Sequence, residues 1–244
     1  MSLKLKHNKS DKILKKSFCD NNGNDKYYEI GIDEVGRGPM FGRVYTAAVI
    51  LPNNDTFDYS LLKDSKKFHS KKKITEVSNY IKKNALMWSI QYTENNEIDT
   101  INIRNAVHNT MHKCVFDIIK NNKKNNLELD VDYHLLVDGN DFKPFIMISN
   151  IEGDGYIQIK HTCIEGGDNI YSSIAAASIL AKVERDEYIE KLCKEYPLLE
   201  DRYGLLKNKG YGTKKHMDGI KDYGITQFHR KSFGICKEAK LNLI

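Results

Sequence analysis

Long apolar runs are missing from this 244-residue chain. The longest, Ala47 to Leu51, falls far short of the ~18–20 residues that span a bilayer, so no spanning helix and no membrane partner are expected. Cysteine is sparse and scattered, with five residues at 19, 114, 163, 193 and 236. An odd count without a C-x-x-C pair argues against a disulfide framework and against a structural zinc site. It points to a reducing compartment, cytosol or nucleus, and a cytoplasmic location is the expectation. The opening MSLKLKHNKSDKILKKS is basic but has neither an apolar stretch nor arginine, which speaks against a secretory signal and a transit peptide. Arginine is rare throughout, six of the 38 basic residues, while lysine and asparagine abound. That bias resembles AT-rich coding, so lysine runs carry little weight. The net charge of +5 is a modest lean toward polyanions. No internal repeat stands out.

What the chain does have is core material. Hydrophobic residues make up 40% and charged residues 29%, enough to exclude wholesale disorder and to suit one large domain. Residues 1–26 read as a flexible basic arm. Strands are expected over 27–34, 43–51, 85–93 and 133–137, with two more over 144–150 and 156–163. Helices are expected over 70–83 with Ser70 as N-cap, over 96–120, over 170–194 and near 213–223. Ala175-Ala176-Ala177 in the third of these lets a helix lie close on a sheet. Alternating strands and helices predict an α/β fold with a mixed sheet.

Three places carry possible chemistry. Asp33-Glu34 ends an apolar strand just before Gly36-Arg37-Gly38-Pro39; alone, the pair also fits a solvated strand end. Leu135-Leu136-Val137 likewise runs into Asp138-Gly139, and in open α/β sheets sites form beyond strand ends. Asp168, in Glu165-Gly166-Gly167-Asp168, precedes the Ala-rich helix, and alone it also fits a cap. Four such carboxylates converging would repel one another unless cations neutralised them. Hard oxygen ligands suit Mg²⁺ or Mn²⁺. Two such ions can activate a water and stabilise a leaving oxygen in phosphodiester cleavage.

Other features are weaker. Gly36-x-Gly38 is followed by Pro39 and a strand, which excludes a dinucleotide fingerprint. His108 and His112 lack the intervening glutamate of a metalloprotease and read as a satisfied or solvated pair. Ser178 lacks a nucleophile elbow and reads as packing. Lys71-Lys72-Lys73 fits a solvated helix start as well as a phosphate contact.

The segment Gly31-Ile32-Asp33-Glu34-Val35-Gly36-Arg37-Gly38-Pro39 resembles the signature of type 2 ribonuclease H (ribonuclease HII). The likeness continues through Asp64-Ser65-Lys66-Lys67, Val137-Asp138-Gly139, Gly167-Asp168 and Ile174 to Asp186. It closes with Lys209-Gly210-Tyr211-Gly212-Thr213-Lys214-Lys215-His216 and His229-Arg230-Lys231-Ser232-Phe233. The series covers residues 27–236 in family order, and its Gly-Tyr-Gly-Thr stretch looks more bacterial than eukaryotic. The resemblance implies an RNase H-like fold: a mixed central sheet flanked by helices, with a helical C-terminal extension. Residues 27–195 would be the catalytic domain and 196–244 an extension that helps bind substrate.

It also implies an endonuclease that hydrolyses RNA in RNA/DNA hybrids and cuts 5′ to single ribonucleotides in duplex DNA, leaving 3′-hydroxyl and 5′-phosphate ends. By motif match Asp33, Glu34, Asp138 and Asp168 would be the catalytic and metal-binding carboxylates, with Mg²⁺ or Mn²⁺ as cofactor. Asp186 is a rival for the fourth place. It lies 18 residues from Asp168, roughly 27 Å along one helix, so both cannot serve one cluster. The motif match favours Asp168. Gly36, Arg37 and Gly38 would read the 2′-hydroxyl, the group that separates RNA from DNA, because glycines let backbone approach the sugar. Tyr211 would lie beside that hydroxyl and stack on the next, deoxy, sugar. Ser65 and Lys66 resemble a phosphate-contact element, with Arg230 another candidate.

The chain departs from the family at Phe41, Arg43, Phe68 and Gly166. The last often is lysine, so a cation near the site is expected to be missing. The C-terminal Ala239 to Ile244 lacks the paired aromatics of a sliding-clamp motif, and a monomer without that partner is expected. Two other readings stay open: a non-catalytic module that binds hybrids, and a DNA nuclease of the wider superfamily.

Overall fold

The computed structural model describes residues 13–19, 27–54, 56–124, 132–148 and 155–244. A five-stranded sheet forms its centre, in the order β3-β2-β1-β4-β7. Its strands are β1 (Tyr27–Val35), β2 (Val44–Ile50), β3 (Met87–Thr93), β4 (Asp132–Asp138) and β7 (Lys160–Ile164). The pairs β1–β2 and β2–β3 run antiparallel, whereas β1–β4 and β4–β7 run parallel. This is the expected mixed sheet.

Side chains on each strand leave alternately to the two faces. Ile30, Ile32, Leu135 and Val137 share a core with α3 (Ile103–Lys124). On the other face Ala47 and Val49 pack with α1 (Lys71–Asn84) and α4 (Ser172–Glu195). Ala175, Ala176 and Ala177 are all fully buried there, as small residues permit. Gly31 shows how close α4 lies: a Cβ there would meet the Ser173 backbone and come 2.5 Å from the Ile174 nitrogen. Ser70 caps α1 by accepting from the Lys73 N–H at 3.5 Å. After α4 come α5 (Leu198–Tyr203), α6 (Leu205–Asn208) and α7 (Lys214–Tyr223). The extension shares a core with the loop after β1, since Met40 and Phe41 pack among Leu199, Tyr203, Leu205 and Ile220.

Several expectations need correction. The helix expected over 96–120 is two, α2 (Asn95–Ile101) and α3, because Asn102 turns the chain with φ 66°. Asparagine tolerates that left-handed region better than most residues. The strand expected over 156–163 divides into β6 (Tyr156–Gln158) and β7, and β6 leaves the sheet to pair with β5 (Ile146–Ile148) as a separate ribbon. Residues 149–150 of the strand expected over 144–150 lie outside the described residues. The arm is not free along its whole length. Lys15 N–H donates to Ile170 O at 2.8 Å, Lys15 O accepts from Ser172 N–H at 2.9 Å, and Leu14 joins the α4-side core. The Glu29 carboxylate also accepts from the Phe18 and Cys19 backbone. Residues 1–12 and 20–26 lie outside the described residues.

Candidate active site

The pairing of Ile32 with Val137 sets Asp33 beside Asp138 at the ends of two parallel strands. Both leave toward α4, because Ile32 and Val137 themselves face α3. The turn before α4 brings in Asp168, and the two sides are tied directly: Gly167 N–H donates to Asp138 Oδ1 at 2.7 Å. Glu34 differs. It stays in the strand, paired with Thr46, whose side chain touches Cys114 of α3, so Glu34 leaves from the opposite face. Arg37 approaches it at 3.9 Å.

The charges are poorly balanced. Asp33 is 4% exposed; burial pushes its carboxyl well above the usual range, and the charges of Glu34, Asp138 and Asp168 push it further, opposed by a hydrogen bond from Ser178. Glu34 is pushed up to about 7, by burial first, with Asp138 adding and Arg37 opposing. Asp168 is 2% exposed and raised by burial, then by Asp64 and Asp138. Its Oδ1 accepts from Asn169 Nδ2 at 3.0 Å, whereas its buried Oδ2 has no hydrogen-bond partner. The nearest cation is the Lys66 ammonium, 3.6 Å from that Oδ2. It supplies positive charge on the side where Gly166 was expected to leave a gap.

These carboxylates fit divalent cations by chemistry: hard oxygens, one of them buried and orphaned, in a group whose like charges raise one another. They are not a ready-made shell. Among the described residues, no three His, Cys, Asp or Glu are gathered closely enough to hold an ion.

The loop after β1 forms the site's second wall. Gly36 has φ +96° and a Cβ there would lie 2.6 Å from Arg185 Cδ, so only glycine fits. Arg37 and Gly38 are exposed, and a Cβ on Gly38 would lie 3.5 Å from the Tyr211 ring. Tyr211 is 47% exposed. Of the loop residues singled out by sequence, Gly38 therefore stands beside Tyr211. Met40 N–H donates to Gly210 O at 2.9 Å, joining the two loops.

Two other sites do not match expectation. Arg230 is fully buried and unavailable to a phosphate. Its guanidinium donates to Gly42 O at 2.8 Å, Arg37 O at 3.1 Å, Pro39 O at 2.8 Å and Gly36 O at 2.7 Å. It is a clamp on the loop, and a planar fork of five donors is suited to that. Burial pushes it down to about 9. Ser65 is also buried, its hydroxyl 2.9 Å from that of Ser178, and so faces α4 rather than solvent. Lys66, with its side chain 80% exposed, remains available.

Sequence reading passed over several supports. Asp64 accepts from Lys66 N–H at 2.9 Å and Asn169 Nδ2 at 3.2 Å, and Asn169 in turn holds Asp168. Arg185, also fully buried, donates to Phe41 O and Arg43 O at 3.3 Å and to Lys209 O at 2.9 Å. The rarity of arginine was a usable signal: in a lysine-rich chain, a retained arginine marks a place that needs the fork. Asp186 pairs with Lys182 at 2.7 Å, in keeping with its exclusion from the cluster. His108 and His112 contact the carbonyls of Asp141 and Lys143.

Comparison with known proteins agrees with this architecture. Residues 30–236 match the sequence profile of ribonuclease HII. A ribonuclease HII from Bacteroides fragilis is 40% identical over 220 residues, covering 90% of this chain and 96% of that one. Another, from Christiangramia forsetii, is 42% identical over 210 residues, covering 86% and 92%. In fold, the chain is similar to ribonuclease H2 from Pyrococcus horikoshii, with TM-score 0.62 and 21% identity over 86% of this chain and 96% of that one. It is similar also to RNase HII from Archaeoglobus fulgidus, solved in complex with PCNA, with TM-score 0.61 and 23% identity over 85% and 95%. With its profile matched across most of its length and its relatives spanned almost completely, the chain belongs to the ribonuclease HII family of ribonuclease H endonucleases.

Proposed function

We propose that this chain cleaves RNA in RNA/DNA hybrids and cuts 5′ to single ribonucleotides embedded in duplex DNA, leaving 3′-hydroxyl and 5′-phosphate ends. The observation that carries this reading is a juxtaposition. A carboxylate group short of positive charge lies beside an exposed loop, with Arg37 3.9 Å from Glu34 and Gly38 against the ring of Tyr211. One part suits phosphodiester hydrolysis, the other suits a sugar.

Asp33, Glu34, Asp138 and Asp168 would hold Mg²⁺ or Mn²⁺. Such ions supply an activated water and charge stabilisation for the leaving oxygen. The carboxylates act as ligands rather than as general bases. The backbone of Gly36 to Gly38 offers amides and carbonyls to the 2′-hydroxyl, and Tyr211 stacks on the sugar that follows. Lys66 lies where a phosphate would meet its ammonium. We place the enzyme in the cytoplasm as a monomer. Among the described residues no helix is long and apolar enough to cross a membrane.

The test uses end-labelled duplex DNA carrying one ribonucleotide, beside a continuous hybrid and an all-DNA branched junction, in Mg²⁺ and in Mn²⁺. Cutting is expected 5′ to the ribonucleotide and within the hybrid. Asp33→Asn and Asp138→Asn should each abolish cleavage and leave hybrid binding largely intact. Full activity of either variant in Mg²⁺ would refute the assignment, and cutting of the junction alone would favour a DNA nuclease.

A further inference from the structure

Two histidines lie behind Tyr211, and nothing above uses them. His216, on α7, and His229 are both fully buried. Their Nε2 atoms are 3.1 Å apart, a distance that needs one hydrogen between them and not two. Fixed groups at either end decide where the protons are. Thr226 N–H is a backbone donor 3.0 Å from His229 Nδ1 and cannot turn away, so that nitrogen accepts, the Thr226 hydroxyl at 2.9 Å serves as a second donor, and His229 carries its proton on Nε2. Tyr211 O is a carbonyl 3.0 Å from His216 Nδ1, so that nitrogen donates and His216 Nε2 is bare. The chain of bonds thus runs one way, from Thr226 N–H through His229 and His216 to the carbonyl of Tyr211. Both rings are neutral in this order. The rings of Tyr203 and Phe41 close over His229, each at 4.9 Å between centroids.

We infer that His216 and His229 form a relay of positioning residues that fixes the backbone of Tyr211 and so sets how strongly the enzyme prefers a ribonucleotide-to-DNA step. Neither ring reaches solvent, and the hydrogen bond from His216 to the Tyr211 carbonyl is their polar link to the site. The inference rests on the ring-stacking role proposed above for Tyr211. It adds that the role depends on one protonation pattern at a distance.

Asparagine can mimic the δ nitrogen of histidine, and glutamine the ε nitrogen. His216 needs its δ donor to hold Tyr211, and His229 needs its ε donor to fix the tautomer of His216. His216→Asn and His229→Gln should therefore keep the preference for a single embedded ribonucleotide over a continuous hybrid. His216→Gln and His229→Asn should lower that ratio of kcat/KM values by roughly fivefold to tenfold, the effect of one lost hydrogen bond. Side-chain size gives a different pattern, because glutamine fills the histidine space better than asparagine at both positions. The crossed order supports the relay. The same order at both positions, or no change of ratio in any variant, overturns it.

Nitrogen-15 NMR of the wild-type rings reads the tautomers directly, whatever the substrate preference. Nδ1–H on His216 with Nε2–H on His229 is expected; the reverse pattern, or a charged ring at neutral pH, overturns the relay. Failure of the underlying reading is separable: Tyr211→Ala would then leave the substrate ratio unchanged while the NMR pattern still held.

Discussion

Acid should weaken this protein through His229, by an amount the structure sets. Burial pushes the imidazole down to about 3 from an ordinary 6.5, and the neighbouring His216 pushes in the same direction. In the unfolded chain the ring takes a proton near 6.5; in the folded chain it stays neutral down to about 3. Between those values the unfolded state binds more protons, so stability falls as pH falls. It is fully present above about pH 7, and the loss is complete near pH 3. The whole window of 3.5 units corresponds to about 4.8 kcal/mol, and the step from pH 7.5 to pH 5 alone to about 2 kcal/mol. For a chain this long, that step lowers Tm by roughly 4–8 °C. The assay is thermal unfolding of wild type and His229→Gln, both in chelator, at pH 7.5, 6 and 5. His108, His112, His134 and His216 are present in both proteins, so the difference in slope isolates His229. A shallower acid slope in the variant, by about 2 kcal/mol at pH 5, is expected. Parallel slopes would refute a buried, neutral His229.

The site and the sheet yield further predictions. Glu34, pushed up to about 7 from 4.5, favours the metal-free fold at low pH and loses that advantage as pH rises through about 7. At pH 8 without metal, Glu34→Gln should be more stable than wild type by up to about 3 kcal/mol, with no difference below pH 4; equal melting at pH 8 would count against it. Gly31→Ala would drive a Cβ into the Ser173–Ile174 backbone and should destabilise by on the order of 3 kcal/mol or more, read by urea unfolding. A wild-type midpoint would mean that α4 yields easily. Arg230→Lys cannot serve four carbonyls in one plane; stability should fall by about 2–4 kcal/mol and cleavage with it, and a fully active, equally stable lysine variant would remove the clamp.

The outline was legible because it rests on local chemistry. Apolar segments ending in Asp33-Glu34 and Asp138-Gly139 announced strands with carboxylates at their ends, and the strands are there. Ser70 and the spacing of Ile74, Val77 and Ile81 announced α1. Family order then pointed to Asp168 ahead of Asp186, a choice in keeping with the pairing of Asp186 to Lys182. Each of these signals sits within a few residues of the feature it specifies.

What sequence could not decide depends on partners far away in the chain. Arg230 read as a phosphate contact because a cation near a nucleic-acid site usually is one. Only packing buries it among carbonyls about 190 residues earlier in the chain. Ser65 turned inward for the same reason, toward a hydroxyl 113 residues away. Glu34 adjoins Asp33 in sequence, yet the pleat sends the two to opposite faces of the sheet. The composition and motifs of the chain thus determined which groups are present and roughly what chemistry they suit. The tertiary structure decided which of them stay exposed and which hold the loops in place, because burial and hydrogen-bond partners are set by long-range packing rather than by neighbours in sequence.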